Sequence, residues 1–209
     1  MIIIVARIEG RAAVELCKSH GWGRMYISRT PQPYPDEPWA WDNGAYQAYR
    51  KGEPLNIEKW KRRTERATRA GTPYMCVLPN IVAGGHRSLE ISITHMHDVP
   101  SDWPKYLAVQ DGISEEDVSP YLPYLNGIFL GGSSAYKETA AAWGDYAHQH
   151  GKKFHYARAS TRRKLQDAIQ CNADSIDTAC PLWIPRQLRQ FAAWCNELKY
   201  QPQLFGGTQ

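Results

Sequence analysis

The sequence predicts an α/β fold, a compact (β/α)8 TIM-like barrel, and three observations predict it. Eight short apolar runs recur along the chain, the number that a closed parallel barrel needs. Helical or loop segments separate them, the alternation that parallel pairing requires. Polar residues then collect at the C-terminal ends of the runs, where a barrel assembles its site. With 209 residues, 43% hydrophobic and 22% charged, the chain can bury one continuous core and is not of disordered composition. One barrel domain over residues 1–209 is expected, near the lower size limit of that fold. A flavodoxin-like open sheet is the alternative architecture.

The strand candidates are residues 2–8, 24–28, 39–44, 74–79, 106–111, 127–132, 154–159 and 175–180. Met1-Ile-Ile-Ile-Val5 is too short to span a membrane and has no basic leader, so it reads as a first strand and not a signal peptide. Helices are expected over 11–20, 56–70, 114–124, 135–150, 161–171 and 185–198. Asn56 and Ser114 are good N-cap types, but Lys59 and Asp117 stand three residues on, so neither completes a Glu/Gln capping box. Gly71 and Gly151 follow helical runs, where a C-terminal glycine is expected. Residues 30–38 hold four prolines and read as an extended loop. Residues 81–100 are ambiguous, with a short helix from Ser88 competing against Gly84-Gly85 and His95-Met-His97.

Composition narrows the function classes. No apolar run approaches a membrane span, and the expected compartment is the cytoplasm. The five cysteines, Cys17, Cys76, Cys171, Cys180 and Cys195, have no CxxC spacing and an odd count. They describe neither a disulfide framework nor a structural zinc site, and no metal is expected. The formal charge is +4 and is unevenly spread. Lys51, Lys59, Lys61, Arg62, Arg63, Arg66 and Arg69 form one basic stretch; Lys152, Lys153, Arg158, Arg162, Arg163 and Lys164 form another. Such runs are either solvated helix faces or a phosphate-binding surface of the kind that holds nucleic acid.

If the barrel closes, the strand ends bring Asp42-Asn43-Gly44, Asn80, Gln110-Asp111-Gly112, Gly131-Gly132-Ser133, Arg158 and Asp177 to one mouth. Tyr46 and Tyr156 lie close by in sequence. Asp42 and Asp177 suggest a two-carboxylate site. Asp174 is a neighbour whose alternation with Ile176 can turn it to the other face of its strand. His95-Met-His97-Asp98 has metal-ligand chemistry but follows a helical pattern instead of a strand end, and His155 reads as structural. Trp39, Trp41 and Trp183 either pack the barrel or line a channel. Ser133-Ser134 lacks a GxSxG elbow.

These segments resemble the tRNA-guanine transglycosylases, and more closely their small DNA-directed, phage-encoded relatives. Asp42-Asn-Gly-Ala-Tyr-Gln47 is similar to the family's Asp-Ser-Gly-Gly-Tyr/Phe-Gln, and Leu107-Ala-Val-Gln-Asp-Gly112 to its Val-Gln-Gly-Gly strand end. Phe129-Leu-Gly-Gly-Ser133 resembles Ile-Gly-Gly-Leu, and Asn172 to Pro181 resembles Gly-Val-Asp-Met-Phe-Asp-Cys-Val-x-Pro. The four segments keep the family's order from about Trp39 to Pro181. The resemblance implies base exchange, with guanine in DNA replaced by a free 7-deazaguanine such as preQ0 through a covalent intermediate. Asp177 would then be the nucleophile and Asp42 the general acid/base. Asn80, Gln110, Gly131, Gly132, Ser133, Tyr46 and Tyr156 would bind the flipped base. Lys59, Arg62, Arg63, Arg66, Arg158, Arg162 and Arg163 would hold the DNA backbone. No cofactor is implied, and a homodimer or partner protein stays open. Asn80 departs from the family's aspartate and cannot accept twice as a carboxylate does. The family's zinc-binding cysteines are absent. Three other readings remain: RNA modification of the tRNA-guanine type, a nucleoside or N-glycoside hydrolase using the same carboxylates, and a non-catalytic nucleic-acid-binding barrel.

Overall fold

The computed structural model describes residues 1–6, 11–179 and 185–200, and in it eight strands, all parallel, close into a barrel in chain order. They are β1 (Ile2–Ala6), β2 (Gly23–Tyr26), β3 (Ala40–Trp41), β4 (Met75–Val77), β5 (Lys105–Val109), β6 (Gly127–Leu130), β7 (Lys153–Tyr156) and β8 (Ser175–Thr178). The seam pairs β1 with β8, Ile4 opposite Asp177. The closed sheet settles the architecture in favour of the barrel over the open flavodoxin-like sheet.

Helices follow most strands: α1 (Arg11–Ser19), α2 (Ala45–Arg50), α3 (Ile57–Ala67), α4 (His86–His95), α5 (Glu115–Val118), α6 (Ala140–Gln149), α7 (Arg162–Gln170) and α8 (Pro185–Tyr200). Strand alternation divides the core into two layers. Inside the barrel lie Ile4, Met25, Ala40, Met75 and Tyr106, with Ile2, Tyr74 and Phe129 packed against them. Outside, Ile3, Val5, Trp39, Trp41, Cys76, Leu107, Ile128, Tyr156 and Ile176 meet the helices. Gly127 is required by this packing, because a Cβ there would lie 2.4 Å from the Tyr106 ring.

Local chemistry explains where the elements differ from expectation. The 114–124 segment is helical only from Glu115 to Val118 and continues as 3-10 turns through Tyr124, since Pro120 and Pro123 each remove a donor. Ser114 does form a capping box, with Asp117 in the role usually taken by Glu or Gln. Asn56 caps α3 by accepting from the Lys59 N–H at 2.8 Å. The ambiguous 81–100 segment contains α4. No helix links β2 to β3. The proline-rich loop stands in its place, strapped down by Arg24, whose guanidinium meets Glu37 at 2.7 Å. Trp39 and Trp41 both pack edge-on against the Trp103 ring, 5.7 and 6.4 Å away between centroids, so they are core and not channel. Cys180, Pro181 and Trp183 lie outside the described residues.

Candidate active site

The C-terminal ends of the strands gather Asp42, Gln110, Asp111, Arg158 and Asp177 at one mouth, as a parallel barrel must. Asp177 is buried, and its Oδ1 accepts from the Arg158 N–H at 3.0 Å and lies 3.1 Å from His155 Nε2. His155 Nδ1 is 2.8 Å from the Ser175 hydroxyl. The tautomer with Nε2–H donating to Asp177 and Nδ1 accepting from Ser175 satisfies all three groups. Burial holds the His155 imidazole below its usual range, against the opposing pull of Asp177. The ring stacks on Phe129 at 4.7 Å between centroids. His155, read from the sequence as structural, is thus the side chain that orients Asp177. Period two puts residues 155, 175 and 177 facing inward, but only the β7–β8 register, His155 opposite Ser175, brings them together.

Asp42 extends the β2–β3 ladder through its N–H to Tyr26 O at 2.8 Å. Its carboxyl is pushed up to about 6. Desolvation dominates, the Asp177 charge adds to it, and the Gly44 N–H opposes it. Two carboxylates with distinct surroundings therefore share the mouth, the arrangement that divides acid from base roles.

Several expected binding residues instead hold the rim together. Gln110 donates to Ile81 O at 2.6 Å and accepts from the Ala83 N–H at 3.0 Å. Asn80 Oδ1 accepts from Asn43 at 2.8 Å. The Gly131 N–H donates to Val109 O, and the Ser133 N–H and hydroxyl both donate to Asp111. Gly132 O accepts from the Arg158 guanidinium. Tyr156 is buried on the outer face of the barrel and does not line the mouth. Tyr46 is exposed at the rim, its ring 6.0 Å from the Arg158 guanidinium carbon. Asp174 lies at the opposite end of β8, bonded to Lys153 at 2.8 Å and close to His148 at 3.0 Å. His95 pairs with Asp98 at 2.7 Å.

The basic stretches do not form one surface. Lys59, Arg62, Arg63 and Arg66 lie on α3, after β3, while Arg162 and Arg163 lie on α7, after β7. Those strands are four apart in an eight-stranded ring. Neighbouring acids also take up charge: Lys61 pairs with Asp98 at 3.0 Å and Arg162 with Glu197 at 3.4 Å. Arg63 is different. It turns toward the rim, donates to Ile27 O at 3.3 Å, and its Nε is enclosed without a partner, as is Gln47 Oε1. A Cβ on Gly44 would point between the two side chains, 3.7 Å from Arg63 Nη1 and from Gln47 Oε1. Burial, followed by the Arg66 charge, lowers the Arg63 guanidinium. Arg63 is thus a half-buried cation with no carboxylate partner among the described residues, beside the glycine that follows Asp42-Asn43.

No protein-family model matches the chain, and no curated protein matches it. Solved structures do. Dihydrodipicolinate synthase from Bacillus clausii aligns over 95% of this chain and 75% of its own, with a TM-score of 0.57 and 11% identity. A structure described as native KDPGal aligns over 95% of both chains, with a TM-score of 0.56 and 11% identity. The HpcH/HpaI aldolase of Desulfitobacterium hafniense DCB-2 covers 96% of this chain and 93% of its own, at 0.54 and 8%. At these identities the likeness is one of fold. These structural neighbours, synthase and aldolase barrels and not transglycosylases, overturn the resemblance to guanine transglycosylases. With it go the pentosyl transfer, the 7-deazaguanine co-substrate, the DNA partner, and the tRNA and N-glycoside alternatives. The physical reasons are on the rim and the flanks: the groups that would read a base edge are bonded to the protein itself, and the basic residues lie on opposite sides. No helix among the described residues is long and apolar enough to cross a membrane.

Proposed function

We propose that the mouth is the active site of a small-molecule lyase of aldol type, acting on a carbonyl compound that carries an anionic group. The observation that carries this reading is the Asp42–Asp177 pair, one carboxyl raised toward neutrality beside a second that is hydrogen-bonded in place. The aldolase and synthase barrels of like fold support it, as does Arg63 at the rim, which has no carboxylate partner among the described residues.

Asp42 is suited to be the proton shuttle, because a carboxyl near 6 can both take and return a proton at working pH. In the cleavage direction ionised Asp42 removes the proton of a β-hydroxyl. The Cα–Cβ bond breaks, the hydroxyl carbon becomes a carbonyl, and the electron pair passes to the enolate of the remaining fragment. Protonated Asp42 then returns its proton to Cα. The Arg158 guanidinium, the cation over the mouth, stabilises the enolate oxygen. Asp177 keeps Asp42 basic through its charge, and Arg63 would seat the substrate's anionic group. The Asp177 role is therefore electrostatic in this reading, not nucleophilic.

The test is solvent exchange and cleavage in D2O, followed by proton NMR, with a panel of small 2-oxo acids and their β-hydroxy adducts. Turnover is expected to rise with pH through about 6 and to fall at least 100-fold in Asp42→Asn. Exchange that persists undiminished in both Asp42→Asn and Asp177→Asn, or no exchange with any compound of the panel, would overturn the reading.

A further inference from the structure

Lys137 lies in the 3-10 turn Tyr136–Thr139 ahead of α6 and is buried. It is not in the mouth. Its ammonium sits outside the barrel wall, 4.2 Å from the centroid of the outward-facing Tyr156 ring, and donates to Ala157 O. That carbonyl belongs to the peptide whose other end is the Arg158 N–H, the group that donates to Asp177 Oδ1 at 3.0 Å. One peptide unit therefore has a lysine at its oxygen and the proposed active-site carboxylate at its nitrogen.

Arg158 takes a left-handed conformation, φ 58°, which L side chains adopt only when their surroundings hold them there. This conformation lets the Arg158 N–H face Asp177 while its guanidinium reaches back to Gly132 O. The flanking bonds secure the strand but not the flip: Ala157 N–H donates to Leu130 O at 3.2 Å and Ala159 N–H to Asp177 O at 2.8 Å. The Ala157 carbonyl is the free lever, and Lys137 holds it.

We infer that Lys137 is a positioning residue: from behind the barrel wall it fixes the Ala157–Arg158 peptide so that the N–H secures Asp177 and the Arg158 guanidinium stays over the mouth. A cation at the carbonyl also polarises the peptide and makes its N–H a stronger donor to the carboxylate. The inference uses the site described above but not its reaction class.

Protonation makes the contact adjustable. Burial lowers the Lys137 ammonium to about 7, with the Arg158 charge adding to that and Asp177 opposing it. The other groups facing it are Lys164 on α7 and Cys171 just after it, His155 on β7 and the Tyr156 ring. As pH rises through neutrality the lysine loses its charge, and its hold on the carbonyl weakens.

The experiment is NMR on the whole chain and needs no substrate. In the native protein the Arg158 amide resonance is expected to move with the Lys137 side-chain Hε resonance across neutral pH. In Lys137→Met the Arg158 Cα and Cβ shifts should lose their left-handed signature, and its amide should exchange at least tenfold faster. Phe154 and Ile176, in mid-strand, should stay protected. Lys137→Arg, which keeps a cation, should restore the Arg158 signature. Asp177→Asn serves as the control for the acceptor end and should leave the Lys137 titration visible while damping the amide response. An Arg158 amide that ignores the Lys137 titration, or left-handed shifts unchanged in Lys137→Met, would overturn the assignment. If Lys137→Met does not fold, the native titration and Lys137→Arg still decide. Failure to find aldol-type turnover bears on the reaction class and leaves these signals as they are.

Discussion

Asp42 sits half-buried at the end of β3, where desolvation, helped by the Asp177 charge, raises its carboxyl from 3.8 to about 6. Between those values the folded protein keeps a proton that the unfolded chain has released. Stability therefore falls as pH rises through that window. Asp42→Asn is expected to be more stable than the native protein at pH 8, by on the order of 3 kcal/mol, since a tenfold change in proton affinity corresponds to about 1.4 kcal/mol. At pH 3 the two should be equal. Urea unfolding at both values measures this, and equal stability at pH 8 would show that Asp42 is not desolvated. Asp42 and Asp177 were both legible in the sequence as acids near strand ends. His155 was not, because its meeting with Asp177 depends on the β7–β8 register. Lys137 was hidden for a related reason: it acts on the mouth through a carbonyl of another segment.

The loop between β2 and β3 does the work of a missing helix. Arg24 bonds Glu37 through Nε and Nη2, each at 2.7 Å, and Gln32 O at 2.8 Å. Glu37 also accepts from the Tyr34 N–H at 2.9 Å, and its side chain is fully enclosed. Breaking one side of such a buried pair costs about 3–5 kcal/mol. Glu37→Gln is therefore expected to lower the denaturation midpoint sharply, while the double change Arg24→Met with Glu37→Leu should recover most of the loss. If the double variant is no better than the single one, the loop is held by something other than charge. The four prolines marked this stretch as extended; nothing in them marked the strap, since Arg24 and Glu37 are thirteen residues apart. The caps were more legible. Asn56 and Ser114 act within three residues of themselves, so composition alone located them. The 119–124 stretch, expected as the end of a helix, is 3-10 because Pro120 and Pro123 end the α geometry.

Closure is a property of the whole chain. β1 and β8 pair over four residues, from Ile2 opposite Ser175 to Val5 opposite Thr178, so the sheet has no free edge. Their amides are expected to exchange only through global unfolding, with the same free energy as those of β5 and β6. Native-state hydrogen exchange tests this; faster exchange confined to β1 and β8 would mean that the seam opens by itself. The same closure separates the two basic stretches, α3 and α7 lying on opposite flanks, which a linear reading placed in one service.

The sequence by itself determined the eight-strand α/β barrel, the end of it that holds the polar residues, and the carboxylates Asp42 and Asp177. Those features follow from short apolar runs, turn and cap residues, and the strand-end rule, all of which act over short stretches of chain. Only the tertiary structure decided which polar groups are available. Gln110, Asn80 and Ser133 are occupied by backbone and side chains from other loops, and Tyr156 faces outward. Arg63 is left without a carboxylate partner among the described residues, and Lys137 grips the peptide that positions Asp177. Hydrogen bonds of this kind join residues from about twenty to nearly forty positions apart, and their partners are fixed by barrel register and loop path, which no local pattern records.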